Sequence, residues 1–338
     1  MTLDHQTRPF LSVCIPTYQG AAFLRESLDS IVRELAKVSE PVEIVISDNG
    51  STDHTEDIVR EFMAAYPNIS YFKSPENLGL DWNIRICIEH ATGQYIHMFS
   101  DDDVIDKDGF YQAMGAMLRQ YSPAIAAAGL FSFKGNYKKR KSNMNVYDVE
   151  VVQSGREFFM CFGGFIGTLI FRSDLAKELV KDLKKGVEND TGSGHLYISS
   201  RIALTSPPPF TYLPNAWVAS RNLPETNPNF MLYSFVYPMR IVQGVYQDKL
   251  IDRETYYFLK KRVIRTVMWR RMWGFLVTND HRHLFRQRHE FVQMFGDCLS
   301  FYVLVYPLFF IPRPLLLVPY MIGKKILNVS RWLRRELA

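Results

Sequence analysis

QYIHMFSDDD, residues 94–103, is a short apolar run that ends in three consecutive carboxylates. Residues 94–100 are too few for a helix and are closed by polar residues, so they read as a buried strand. Carboxylates side by side repel one another and burial strengthens the repulsion, so three of them at a strand end require a cation or a set of donors. A single Asp would serve as a helix cap, as Asp106 could for the amphipathic GFYQAMGAML (109–118), but three exceed that need. A hard divalent cation, Mg²⁺ or Mn²⁺, takes one or two carboxylates and completes its shell with water and diphosphate oxygens.

Upstream the pattern repeats. FLSVCIP (10–16) and VEIVIS (42–47) are further apolar strands, and residues 21–37, 53–65 and 78–91 carry apolar side chains at helical spacing. This alternation predicts an α/β fold with a mostly parallel, Rossmann-like sheet flanked by helices. Ligands of such sheets collect at the carboxyl ends of the strands. There lie Pro16, Thr17, Tyr18 and Gln19, the run DNGSTD (48–53), and Asp101, Asp102 and Asp103. Asp48 can accept from a base or a ribose, while the same DNGSTD run also reads as an Asx turn leading to a helix cap. No GxGxxG and no GxxxxGK[ST] occurs, which leaves dinucleotide and P-loop readings without support.

Downstream, residues 124–133 form another strand candidate, GNYKKRKSN (135–143) a solvated basic turn, and FFMCFGGFIGTLIFR (158–172) a glycine-rich buried strand. VENDTGSGHLY (187–197) supplies Asp190 and His195 just ahead of a helical stretch. The texture changes near residue 238, which divides the chain into domains 1–238 and 239–338. The first carries 22 Lys and Arg against 28 Asp and Glu, the second 18 against 7. Residues 257–276 form a basic amphipathic helix with Leu259, Val263, Met268 and Met272 on one face. LSFYVLVYPLFFIPRPLLLVPYMI (299–322) is long enough to span a bilayer, but Pro307, Pro312, Pro314 and Pro319 interrupt it and Arg313 sits within it. With Lys324, Lys325, Arg331, Arg334 and Arg335 behind it, this region is expected to lie on an anionic membrane surface and not to bind nucleic acid. A buried helical subdomain or a homo-oligomer surface formed by the C-terminal helices are the other uses of the same apolar faces. At 47% apolar and 22% charged residues the chain is globular, and four dispersed cysteines exclude a CxxC zinc or redox pair. The N-terminus carries no secretory pattern, so a cytoplasmic location follows as the expectation.

SVCIPTYQG (12–20), VEIVISDNGSTDHT (42–55) and SPENLGLDWNIRICIEHATGQYIHMFSDDD (74–103), in this order, resemble the GT-A fold family 2 glycosyltransferases over roughly residues 10 to 220. Within the family the chain is most similar to bacterial enzymes of O-antigen and surface polysaccharide assembly, abequosyltransferase-like proteins among them. The resemblance implies a nucleoside-diphosphate sugar as donor, with Pro16, Thr17 and Tyr18 lining the nucleotide and Asp48 at the base. Asp101 or Asp102 would meet the ribose, and Asp102 or Asp103 would hold the metal of a DxD-type motif. Gln19 and Ser100 depart from the usual residues. Inversion at the anomeric carbon needs a base for the acceptor hydroxyl, and His195 and Asp190 are the two candidates. The expected enzyme is a metal-dependent transferase acting on a lipid-linked saccharide at the cytoplasmic face of a bacterial inner membrane. A non-catalytic carbohydrate-binding or scaffold subunit is one alternative. A nucleotidyltransferase is another, although the glycine-rich basic loop expected after its first strand is missing.

Overall fold

Alternate side chains of the first strand, β1 (Leu11–Thr17), enter two different cores: Val13 and Ile15 one, Cys14 the other. Strand β2 (Val42–Asp48) divides the same way, with Ile44 and Ile46 on one side and Val45 on the other. Strands covered by helices on both faces read as unbroken apolar runs, which is why they were visible in the sequence. The computed structural model describes residues 8–133, 135–138, 148–161, 165–186, 191–221, 231–269, 271–273 and 281–311.

The sheet runs β3-β2-β1-β4-β8-β6-β9-β5, with β7 also on β9. Strands β3 (Ile69–Lys73), β2, β1 and β4 (Tyr95–Met98) are parallel. Strand β8 (Leu169–Arg172) is antiparallel to β4 and to β6 (Ile125–Phe133), and β5 (Val104–Ile105) and β7 (Glu150–Val152) are antiparallel to β9 (Phe210–Arg221). Strands β6 and β9 pair in parallel, so the sheet is mixed, and the expectation of a mostly parallel one holds throughout only for its first half.

Helices α1 (Leu24–Leu35), α2 (Thr55–Ala65) and α4 (Phe110–Tyr121) pack on one face through Leu28, Ile31, Val59, Phe62 and Met114. On the other face α3 (Leu80–His90), α6 (Ser173–Leu179) and α7 (Gly194–Thr205) contribute Ile84, Ile88, Ala176, Ile198 and Ile202. Residues 155–161 are helical (α5, Gly155–Cys161), where the sequence suggested the beginning of a strand. FFMC is too short an apolar run for its period to separate helix from strand.

The chain divides into two compact units, residues 1–224 with 247–251, and residues 225–246 with 252–338. In the second, the helix Arg253–Arg262 runs on as a π-helical turn, Val263–Met268. Leu259, Ile264, Met268 and Met272 are fully buried there, as are Phe291, Phe295 and Phe301 from the helices His281–Phe295 and Leu299–Leu304. The apolar stripe of the basic helix is thus the core of a helical subdomain. Lys260 is buried with it, paired to Asp297 at 2.7 Å. Among the described residues no helix is long and apolar enough to cross a membrane.

Candidate functional site

Parallel pairing sets Thr17 beside Asp48 at the ends of β1 and β2, and the Phe99 amide donates to the Cys14 carbonyl at 2.9 Å as the chain leaves β4. Asn83 on α3 ties the first two ends together: its Oδ1 accepts from the Ser47 hydroxyl at 2.6 Å and its amide donates to the Thr17 carbonyl at 3.1 Å. The Thr17 hydroxyl donates to Asp101 Oδ2 at 2.6 Å, joining the first strand end to the acidic run. A Cβ on Gly20 would lie 2.3 Å from the Thr17 hydroxyl and 2.7 Å from that Asp101 oxygen, so only glycine leaves them room.

Asp48 is fully buried and both its oxygens are engaged. Oδ1 accepts from the Ser51 amide at 2.8 Å, closing the Asx turn, and Oδ2 accepts from the Tyr71 hydroxyl at 2.5 Å. Burial, and then the hydrogen bond to this carboxylate, push the Tyr71 phenol well above its ordinary range. Gln19, at φ +53°, latches the neighbouring loop: its amide donates to Ser51 Oγ at 2.8 Å, and its side-chain oxygen accepts from the amides of Thr52 and Asp53. Pro16 is buried at the end of β1, and Tyr18 is exposed.

The three aspartates take three different partners. Asp101 is held by Thr17, Asp102 Oδ1 accepts from the Ser100 hydroxyl at 2.5 Å, and Asp103 Oδ1 accepts from the Arg221 amide at 3.2 Å. Asp103 Oδ2 is buried with no hydrogen-bond partner and faces Gly167, where a Cβ would come within 2.5 Å of it. Burial first, and then the charge of Asp102, push the Asp103 carboxyl up to about 8. Asp101 is pushed up to about 6, again mainly by burial. Behind them His97 is buried and pushed down to about 4. Its Nε2 lies 3.1 Å from the Gly167 carbonyl, which can only accept, so this nitrogen carries the proton of a neutral ring.

Among the described residues no three His, Cys, Asp or Glu side chains are gathered into one metal-binding set. The donor chemistry nonetheless fits a hard divalent cation at Asp102 and Asp103, because an orphaned carboxylate oxygen with a raised pKa is stabilised by adjacent positive charge.

Residues 12–178 match the family described as Glycosyl transferase family 2. That match, just under half of the chain, identifies a family 2 glycosyltransferase domain within it. The abequosyltransferase of Salmonella typhimurium is 39% identical over 99 residues, 29% of this chain and 29% of that protein. A minor teichoic acid biosynthesis protein of Bacillus subtilis is 24% identical over 145 residues, 41% of this chain and 16% of that one. The chain therefore spans under a third of the length of these two relatives. In fold it is similar to S. aureus TarS, with a TM-score of 0.59 at 17% identity over 88% of this chain and 82% of that one. It is also similar to a mannosyltransferase from Pyrobaculum calidifontis, solved with GDP-Man and Mn²⁺, at 0.51 and 15% over 87% and 83%. These likenesses establish a GT-A-like α/β fold.

The family 2 match ends before either candidate base. Asp190 lies outside the described residues, and His195 sits in the first turn of α7. Asp81, on the first turn of α3, fixes the segment just ahead of that turn. Its buried carboxylate accepts from the Thr191 amide and hydroxyl at 2.8 and 2.6 Å and from the Ser193 and Gly194 amides at 3.0 and 2.7 Å. Sequence reasoning missed Asp81, Tyr71 and Arg221. Arg221 ends β9 between the rings of Phe23 and Phe133, 4.4 and 4.7 Å from their centroids, is paired to Glu26, and donates from Nε to the Asp102 carbonyl at 3.2 Å. An Asp in the first turn of a helix and an isolated Arg carry no signal of such distant partners.

Proposed function

We propose that this protein is an inverting glycosyltransferase that moves a sugar from a nucleoside-diphosphate sugar to a lipid-linked saccharide in bacterial surface polysaccharide assembly. It would work at the cytoplasmic face of the inner membrane. The observation that carries the reading is the buried, unpartnered oxygen of Asp103, on a carboxyl pushed up to about 8, in a run bridged to the first strand end through Asp101 and Thr17. Further support comes from the family 2 domain, from relatives named for abequose transfer and teichoic acid biosynthesis, and from TarS, solved with UDP and with UDP-GlcNAc.

In this reading Pro16, Thr17 and Tyr18 line the nucleotide. Each Asp48 oxygen has a second lone pair for the base, and Asp101 or Asp102 accepts from the ribose. Asp102 and Asp103 would hold Mg²⁺ or Mn²⁺, which when bound supplies positive charge opposite the departing diphosphate. His195 or Asp190 takes the proton of the acceptor hydroxyl as its oxygen attacks the anomeric carbon from the side opposite the diphosphate. A new glycosidic C–O bond forms, the bond to the diphosphate breaks, and the configuration inverts.

The test is hydrolysis and binding of a panel of nucleoside-diphosphate sugars by the purified full chain, with Mg²⁺ or Mn²⁺ and with EDTA. Metal-dependent turnover of one donor is expected. Binding of saccharide without any nucleotide affinity would make the protein a carbohydrate-binding subunit instead. Comparing His195→Ala with Asp190→Asn on acceptor transfer decides the base.

A further inference from the structure

The helix Leu299–Leu304 is apolar on every side except Ser300, yet only Phe301 faces the core of its unit. Leu299 is 79% exposed and Val303 64%, with Tyr302 and Leu304 partly exposed beside them. The exposed side chains continue as one surface through ring contacts, Tyr302 to Tyr306 at 5.3 Å, Tyr306 to Phe310 at 5.1 Å and Phe310 to Phe285 at 5.7 Å. Isolated exposed apolar residues are ordinary in soluble proteins, but a helix apolar all round is found where a second apolar medium covers it.

Basic groups stand at both ends of this surface. Arg288 lies 4.1 Å over the Phe285 ring with exposed Arg286 beside it, and at the other end Asp297, two residues before Leu299, is paired to Lys260, with exposed Lys261 next in the chain. The 27 residues after Ile311 add six Lys and Arg against one Glu. A second copy related by a two-fold axis would set these cations against their own equivalents. An anionic lipid surface answers both features at once, with acyl chains for Leu299, Val303 and Phe310, headgroups for the cations, and the polar–apolar boundary for the hydroxyls of Tyr302 and Tyr306.

We infer that the exposed face of the helix Leu299–Leu304, extended by Tyr306, Phe310 and Phe285, is the surface by which this protein docks on an anionic bilayer. The inference deepens the proposed function by naming the membrane-contacting residues, and it rests on that reading only for which bilayer is met.

Flotation of the full chain with phosphatidylcholine vesicles, with and without phosphatidylglycerol, tests it against the double variant Leu299→Ser, Val303→Ser. Both residues are exposed, so melting and donor hydrolysis should not change. The expected result is binding to the anionic vesicles alone, weakened by salt, and about tenfold weaker in the variant. Hydrogen exchange should show residues 299–304 gaining protection only when anionic vesicles are added. Equal flotation of the variant would overturn the assignment. Two other outcomes would also overturn it: protection already present without lipid, which makes the face a seat for the chain's own C-terminal segment, or a dimer lost in the variant, which makes it a contact between copies. Donor hydrolysis is read on the same samples, so flotation without hydrolysis sinks the enzymatic reading and leaves the surface standing.

Discussion

The ends of β2 and β4 each carry buried aspartate, and the two sites use it in opposite ways. Asp48 has a donor on each oxygen, from Ser51 and Tyr71. Asp103 is met by the Arg221 amide and the Ser220 hydroxyl yet keeps one orphaned oxygen, beside two more carboxylates. The first spends its charge inside the protein and so supports the fold. The second lacks compensation for its ionised form and so keeps its proton near neutrality until something positive arrives, and groups of that kind cluster at functional sites. The difference teaches that residue type and position at a strand end do not separate scaffold from chemistry; satisfaction of the carboxylate does.

The largest effect should come from Asp103→Asn. The variant keeps the shape and can still accept from the Arg221 amide, but it removes the charge, so transfer should fall by about a thousandfold or more while the melting temperature holds or rises. Turnover and melting measured on one preparation decide it. A clear loss of melting temperature would mean that Asp103 is scaffold too, and the contrast would collapse.

Asp48→Ala should act on the fold. It leaves the buried Ser51 amide and the half-buried Tyr71 hydroxyl without their acceptor, a loss of about 2–4 kcal/mol. Urea unfolding reads it. Unchanged stability with lost nucleotide affinity would move Asp48 into the same class as Asp103.

Acidity sharpens the contrast further. The Asp101 and Asp103 carboxyls are pushed up to about 6 and about 8. The folded state therefore holds protons that the unfolded chain has already lost near pH 4, and stability should fall as pH rises from about 4 to about 8. His97 contributes the other sign, because its folded value near 4 lies below the unfolded one and stability is lost as pH falls from about 6.5. Melting curves from pH 5 to 9 should show Asp103→Asn flattening the alkaline limb, between about pH 6.5 and 8, and uncovering the opposing His97 rise below it. Mg²⁺ or Mn²⁺ should flatten the same limb in the native chain, since a bound cation favours the ionised carboxylates.

The parallel half of the sheet was legible because β1, β2 and β4 are apolar on both faces and end in polar turns. In the other half β6 was legible as the run 124–133 and β8 as the end of 158–172, whereas β5, β7 and β9 were not. Strand β5 has only two residues, β7 is mostly exposed, and β9 is interrupted by Pro214 and by Asn215 at φ +76°, where it meets a register shift opposite Gly129. Strand β3, at the sheet edge, buries only Ile69 fully and so lacks a continuous apolar run. The aspartates were legible because carboxylates directly after an apolar run are conspicuous. Their satisfaction was not, because Tyr71 is 23 residues from Asp48 and Arg221 118 residues from Asp103. Local sequence carries neither pairing.

The smallest effect tests the scaffold side of the contrast by a single atom. Tyr71→Phe keeps the ring, which packs against the core, and removes only the hydroxyl that donates to Asp48 Oδ2. The carboxylate then retains the Ser51 amide and loses its second donor, so the expected loss is about 1–2 kcal/mol, less than for Asp48→Ala because one bond survives. The double variant should lose little more than Asp48→Ala alone, since the two side chains share one bond and their effects cannot add. If Tyr71→Phe left stability unchanged and lowered nucleotide affinity instead, the hydroxyl would be holding Asp48 ready for a ligand, and the end of β2 would share the unsatisfied character of the end of β4.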